Sequence, residues 1–245
     1  MFDNNTLVII PARGGSKRIP KKNIKNICGL PMICWPLQEL SKLFSAKQII
    51  VSTDDDEIKN VLEKYGLSVP FKRPKELSDD HTGTIEVATH ALTWFEKHRH
   101  KVDFVLIVYP TAVIIDADEI KRAYEKLLSD SSCDSVFPAI SFPYPIQRAI
   151  YENDEGFVSM VEPSNYTARS QDVKEALHDA GQFYFCRSNA IRESLYLFTT
   201  SRSKIIKLNR SRVVDIDTEG DFEVAERLLN SYGFNSKSKD WKFVR

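Results

Sequence analysis

The sequence predicts an α/β fold whose mainly parallel sheet is covered by helices on both faces. Three observations carry that expectation. Short runs such as Leu7 to Ile10 and Phe104 to Tyr109 are apolar on both strand faces, as buried parallel strands are. They alternate with amphipathic stretches of helical period. The 245 residues suffice for one large core, so a single domain spanning 1–245 is expected.

Six strands are expected: Leu7 to Ile10, Gln48 to Ser52, Phe104 to Tyr109, Ser135 to Ile140, Gln182 to Cys186 and Val213 to Ile216. The helices between them have readable ends. Pro31 suits a first helical turn, but Pro36 predicts a late start or a kink. Asp54 and Asp55 read as capping carboxylates for a helix over Asp56 to Tyr65, stopped at Gly66. Another helix begins near Thr84. Asp116-Ala117-Asp118-Glu119 reads as a capping box, followed by the stripe Ile120, Ala123, Tyr124, Leu127 and Leu128. Thr218-Glu219-Gly220-Asp221 opens a last helix that buries Phe222, Ala225 and Leu229 and ends at Gly233.

Residues 141–181 break the alternation. They hold Phe142-Pro143-Tyr144-Pro145, a small hairpin around Asn153-Asp154-Glu155-Gly156, and the polar run Tyr166 to Asp172. This reads as an insertion carrying substrate contacts or a subunit interface, or else as a mobile surface loop.

Composition excludes some classes. With 34 basic and 34 acidic residues the net charge is zero, against nucleic-acid or anionic-membrane binding. The polar start Met1-Phe2-Asp3-Asn4-Asn5 has no signal-peptide pattern, and the apolar runs are strand-sized. Cys28, Cys34, Cys133 and Cys186 are scattered, which suits reduced thiols in a cytoplasmic protein.

The first strand runs into Pro11-Ala12-Arg13-Gly14-Gly15-Ser16-Lys17-Arg18-Ile19-Pro20-Lys21-Lys22-Asn23. Adjacent glycines let backbone N–H groups approach an anion, and the cations offset its charge, so the loop reads as a polyphosphate pocket. A basic surface turn has the same composition. Walker A and G-x-G-x-x-G spacings are absent.

Asp215 and Asp217 stand two apart after an apolar run. On a strand they would share one face, and a hard cation such as Mg²⁺ would relieve their repulsion. Alternatively one caps the next helix and the other is solvated. The polar stretch from Arg73 to Thr84 precedes a helix whose N-terminus could receive a base or ribose, or is an ordinary capped loop. His178-Asp179 could be an acid/base pair, but nothing in the sequence supplies a nucleophile or third partner. His98 and His100 sit in a charged run and read as solvated.

Together, Ile9-Ile10-Pro11-Ala12-Arg13-Gly14-Gly15-Ser16-Lys17, Ile19-Pro20 with Lys22-Asn23, Ile50-Val51-Ser52-Thr53-Asp54, Arg73-Pro74 with Glu76-Leu77, and Asp215-Ile216-Asp217-Thr218 resemble the CMP-sialic acid synthetase family. Those are cytidylyltransferases that activate nine-carbon 2-keto sugar acids. Tyr109-Pro110-Thr111-Ala112, Phe142 to Ala149, Thr167 to Asp172 and His178 to Tyr184 look like the pseudaminic acid branch of that family. Tyr109 stands where sialic acid enzymes carry glutamine, Arg18 where they carry glycine, and Phe185-Cys186 where Trp-Gly is usual.

The resemblance implies a Rossmann-like, three-layer αβα nucleotidyltransferase of the nucleotide-diphospho-sugar transferase type, with an inserted dimerisation and substrate subdomain. It implies attack of a sugar-acid 2-hydroxyl on the α-phosphorus of CTP, with Mg²⁺ as cofactor and a homodimer as the assembly. Arg13, Lys17, Lys22 and Asp217 would be catalytic. Ala12, Arg13, Gly14, Gly15, Ser16, Lys17, Lys22, Asn23, Arg73, Thr82 and Thr84 would bind nucleotide, and Asp215 and Asp217 the metal. Tyr109, Thr111, Gln147, Arg148, Arg169 and Gln171 would bind sugar, with Arg169 on its carboxylate or serving the neighbouring subunit. The rival readings are a CMP-N-acetylneuraminic or CMP-legionaminic acid synthetase and a non-catalytic nucleotide-binding module.

Overall fold

A computed structural model describes residues 2–169, 171–193, 201–233 and 241–243. Strand β1 (Thr6–Pro11) leads to two short strands, β2 (Asn26–Ile27) and β3 (Leu30–Pro31), then helix α1 (Cys34–Ser41). Next come β4 (Ile49–Ser52), α2 (Asp56–Lys64), α3 (Thr84–His98), β5 (Phe104–Val108), α4 (Ala117–Leu128) and β6 (Ser135–Ser141). The insertion carries β7 (Ile150–Glu152), β8 (Val158–Met160) and β9 (Leu177–Asp179). The chain then forms β10 (Phe183–Arg187), α5 (Ser188–Glu193), β11 (Ser203–Lys207) and α6 (Glu219–Ser231).

The central sheet runs in the order β11-β6-β10-β5-β1-β4, with β9 on β6. β1 pairs in parallel with β4 and β5, and β11 with β6. β10 is antiparallel to both β5 and β6, so β5 and β6 point the same way without touching. β9 and β10 follow one edge of β6 in succession, Asp179 opposite Ala139 and Phe185 opposite Val136. Their register slips at Ala180 to Gln182, where Gly181 takes φ +62.

Alternation along the strands sorts side chains into two cores. Val8, Ile10, Val51, Leu106 and Phe185 face Leu37, Ile58, Leu62, Ile120 and Leu229, from α1, α2, α4 and α6. Leu7, Ile9, Ile50, Val105 and Ile107 face Ile85, Ala88, Leu92 and Phe95 of α3, with Ile191 of α5. This is the three-layer arrangement expected. Phe185 and Cys186, the unusual pair, lie one in each core, both buried.

Several boundaries differ from the sequence reading. Val213 to Ile216 is unpaired extended chain, and the edge strand is β11 instead. The turn Arg210–Arg212 between them leads Val213 and Val214 to pack on the core without a ladder. α1 starts late, at Cys34, because Pro31 lies in β3. Asp116 caps α4 through the Asp118 N–H at 2.8 Å, but Glu119 does not complete a box; it turns to Arg212, Oε1 to Nε 3.8 Å. The Thr218–Asp221 box is complete, and the hairpin around Asn153 to Gly156 forms as β7 and β8.

Candidate active site

The carboxyl ends of the neighbouring strands β1 and β5 open into one pocket, where ligands bind in sheets of this kind. The loop after β1 is tied down along its length. The Ala12 N–H donates to Ser52 O at 2.9 Å, and the buried Asn23 amide donates to Arg13 O at 2.9 Å. The Gly14 N–H donates to Asp54 Oδ1 at 3.0 Å, and a side chain at Gly14 would collide with the Asp55 carboxylate. Asp55 is itself the cap of α2, accepting from Glu57 and Ile58 N–H. Gly14 is therefore required by packing between two loops. Gly15 has open space beside its Cα, and among the described residues its N–H has no partner.

The cavity measures about 460 Å³. Arg13, Ser16, Lys17, Arg18, Lys22 and Asn23 form one wall, Tyr109, Pro110 and Thr111 another, and Asp80 and Asp217 complete the rim. Four cations face two carboxylates. Arg13 Nη1 lies 2.6 Å from Asp80 Oδ1 and donates to Asp79 O at 3.0 Å; Lys17 pairs with the other Asp80 oxygen. Arg18 Nη2 lies 2.9 Å from Asp217 Oδ2, and Lys22 Nζ lies 3.2 Å from Oδ1 and donates to Ile216 O at 2.6 Å. Lys17, and then Arg13, hold the Asp80 carboxyl below the usual carboxylate range. The surplus of positive charge suits a polyanion.

Asp215 stands beside this rim, exposed, with no hydrogen bond or ion pair among the described residues. Dehydration by the surrounding protein, and then the charge of Asp217, raise its pKa. The pair offers only hard oxygen donors, one of them unpartnered, which fits a divalent cation that fills its shell with phosphate and water. No cluster of three or more metal-ligating side chains occurs among the described residues.

The other residues separate into two groups. Thr84 approaches the Tyr109 hydroxyl, Oγ1 to O 3.1 Å, and Thr82 Oγ1 donates to Asp79 Oδ1 at 2.7 Å. Arg73 does not line the cavity: it is 5% exposed, with Nε donating to Ser52 Oγ at 3.0 Å and Nη1 to Leu77 O at 3.4 Å. Burial lowers its pKa. Tyr109 and Thr111 line the pocket; Gln147, Arg148, Arg169 and Gln171 lie on the insertion and do not. Gln147 Nε2 donates to Lys174 O, and Arg169 pairs with Asp172 at 2.8 Å. Ser170 lies outside the described residues.

Sequence reasoning missed Asp80, hidden in a stretch read as a capped loop. The His178-Asp179 pair does not form: His178 Nδ1 meets the Asp179 carbonyl at 2.8 Å, while the carboxylate turns to Tyr184.

A family model described as Cytidylyltransferase matches residues 7–238. The chain is 41% identical over 222 residues to a pseudaminic acid cytidylyltransferase of Campylobacter jejuni, covering 91% of this chain and 95% of that protein. It is 29% identical over 230 residues to a CMP-N,N'-diacetyllegionaminic acid synthase of Legionella pneumophila, covering 91% and 95% respectively. The fold is shared with a solved CMP:2-keto-3-deoxy-manno-octonic acid synthetase complexed with CTP, at TM-score 0.65 and 16% identity over 93% of this chain and 99% of that one. By the family match over residues 7–238 and the 41% identity over most of its length, the chain belongs to the cytidylyltransferases.

Proposed function

We propose that this cytidylyltransferase transfers CMP from CTP to the 2-hydroxyl of pseudaminic acid. The sugar oxygen bonds to the α-phosphorus, the bond from that phosphorus to the β-phosphate oxygen breaks, pyrophosphate leaves, and the hydroxyl proton is lost. The observation that carries this reading is the cavity in which Arg13, Lys17, Arg18 and Lys22 converge opposite Asp217. Its support in comparison is the 41% identity to an enzyme of that name.

The reaction asks for positioning and charge compensation, so the lack of a protein nucleophile is expected. Arg13 and Lys17 would exchange Asp80 for phosphate oxygens, with Ser16, the Gly15 N–H and Asn23 shaping the cradle. Lys22 and Arg18 would likewise turn from Asp217 to the triphosphate. Asp215 and Asp217 would hold Mg²⁺, which when bound polarises the α-phosphate. Tyr109 and Thr111 would face the sugar.

Arg169 supports a homodimeric reading, because its side chain is 74% exposed and away from this pocket. The insertion also leaves Tyr144, Ile150, Tyr151, Phe157, Val158 and Tyr166 exposed, an apolar surface suited to a second copy of the chain. No helix among the described residues is long and apolar enough to cross a membrane, compatible with a cytoplasmic enzyme.

The test is pyrophosphate release from CTP with pseudaminic, legionaminic and N-acetylneuraminic acids in parallel. Preference for the first is expected. Preference for either of the others would reassign the sugar, and CTP binding without turnover of any would leave a nucleotide-binding module.

A further inference from the structure

The extended chain that carries Asp215 and Asp217 pairs with no strand, so separate contacts must set its place. On the far side of Asp215, Ile216 is fully buried in the core, and Lys22 Nζ donates to its carbonyl at 2.6 Å. The Asp217 N–H donates to Asp221 Oδ2 at 3.1 Å. On the near side the anchor is Arg212, whose carbonyl accepts the side-chain amide of Gln182 at 2.8 Å. The Arg212 guanidinium reaches the other way, Nη2 2.9 Å from Oδ2 of Asp116, the N-cap of α4.

Gln182 is 2% exposed and lies between β9 and β10, where the insertion rejoins the sheet. A carbonyl only accepts, so the amide nitrogen is the atom turned to Arg212. The amide oxygen is buried with no hydrogen-bond partner among the described residues. An apolar side chain of the same size would avoid the cost of that oxygen, and the bond to Arg212 is what the amide adds. The main-chain carbonyl of Gln182 accepts the Tyr109 N–H at 2.9 Å. One buried residue thus holds the Tyr109 wall by its backbone and the aspartate segment by its side chain.

We propose that Gln182 is a positioning residue for the metal-binding aspartates: through the Arg212 carbonyl it fixes where Asp215 and Asp217 stand relative to the wall at Tyr109. This rests on the reading of the two aspartates as holders of a divalent cation. Donors already in place need no ordering when the ion arrives, whereas donors on a loose segment must be gathered first. Asp215 lies between the two anchors, Arg212 and Ile216, and loosening either one frees it.

Gln182→Met is the discriminating variant, since it keeps the length of the side chain and loses the donor. Mn²⁺ is the probe, its free fraction read by electron paramagnetic resonance. The dissociation constant for Mn²⁺ is expected to rise about tenfold, the usual effect of removing a residue that holds a metal ligand in place. Half-saturating Mg²⁺ for pyrophosphate release should rise by the same factor, and excess Mg²⁺ should restore the maximal rate. CTP binding without metal should be unchanged. A role in stability alone would lower the urea midpoint and leave the Mn²⁺ constant of the folded protein where it was. Should Gln182→Met fail to fold, Arg212→Met releases the same carbonyl from its other anchor and should raise the same constant.

An unchanged Mn²⁺ constant in folded Gln182→Met or Arg212→Met overturns the proposal, as does an equal loss of metal-free CTP binding. Asp217→Asn separates it from the reading beneath it. If that variant binds Mn²⁺ as the unaltered protein does, the metal assignment falls and the proposal with it. If Asp217→Asn loses Mn²⁺ while Gln182→Met keeps it, only the positioning role falls.

Discussion

Arg18 reaches across the pocket mouth to Asp217, its guanidinium Nη2 2.9 Å from the carboxylate Oδ2. The same carboxylate takes Lys22 on its other oxygen at 3.2 Å. One acidic side chain thus holds two of the cations that a triphosphate would claim. On the proposed reading, metal and nucleotide would be coupled at this point, because each would free a partner for the other.

Asp217→Asn should cut pyrophosphate release at least about 100-fold at any Mg²⁺ concentration, through loss of a charged metal ligand. The fold should survive, since the Thr218–Asp221 box caps α6 without that side chain. Circular dichroism and a pyrophosphate assay on one preparation check both halves; normal turnover would remove Asp217 from the metal site.

Asp80→Ala should lower KM for CTP two- to fivefold at low ionic strength. Its carboxylate is the counter-ion of Arg13 and Lys17 and must be displaced by phosphate. The pair is open to solvent, so screening by water keeps the gain small. The gain should fade as salt is added. A raised KM for CTP would instead make Asp80 a direct ligand of the nucleotide.

The raised pKa of Asp215 gives a signed pH dependence. The folded chain holds this proton more tightly than the unfolded chain. That contribution to stability is full below the unfolded value near pH 4 and is lost as pH rises through the folded value. Metal must displace the same proton, so half-saturating Mg²⁺ should rise as the medium is acidified through that value. Asp215→Asn should weaken Mg²⁺ activation and abolish its pH dependence, as titrations across about pH 4 to pH 7 would reveal.

Gly14→Ala and Gly15→Ala should part company. At Gly14 a methyl group meets Asp55, the cap of α2, and the expected cost is about 1–3 kcal/mol in urea unfolding. At Gly15 the space is open, so stability should hold within about 0.5 kcal/mol while KM for CTP rises. Equal destabilisation by both would contradict the packing role given to Gly14.

The features legible from sequence were those that short-range chemistry dictates. Alternation of apolar runs marked β1, β4, β5, β6 and β10, and the Thr218–Asp221 box marked the start of α6. Val213 to Ile216 misled because an apolar run packs on the core whether or not a neighbouring strand is free to pair with it. The reversed direction of β10 has no local signature, since its pattern reads the same both ways. In the site, the loop from Ala12 to Asn23 was evident because its charge is contiguous. Asp80 was not, because it acquires its role from Arg13 and Lys17, far away in sequence.

The place of β10 has a consequence for how the molecule comes together. β5 and β6 share no ladder; Phe183–Arg187 is the only strand that joins them among the described residues. A nascent chain that has emerged only as far as β6 holds the three strands β4-β1-β5 and, apart from them, β6, because β10 and β11 both come later in the chain. Closure waits for a segment about 75 residues beyond β5, a long loop to close before its contacts reward it. β10 therefore joins β6 to the other strands late in synthesis, with the edge strand β11 still to follow, and the insertion must leave the space between β5 and β6 clear until β10 arrives.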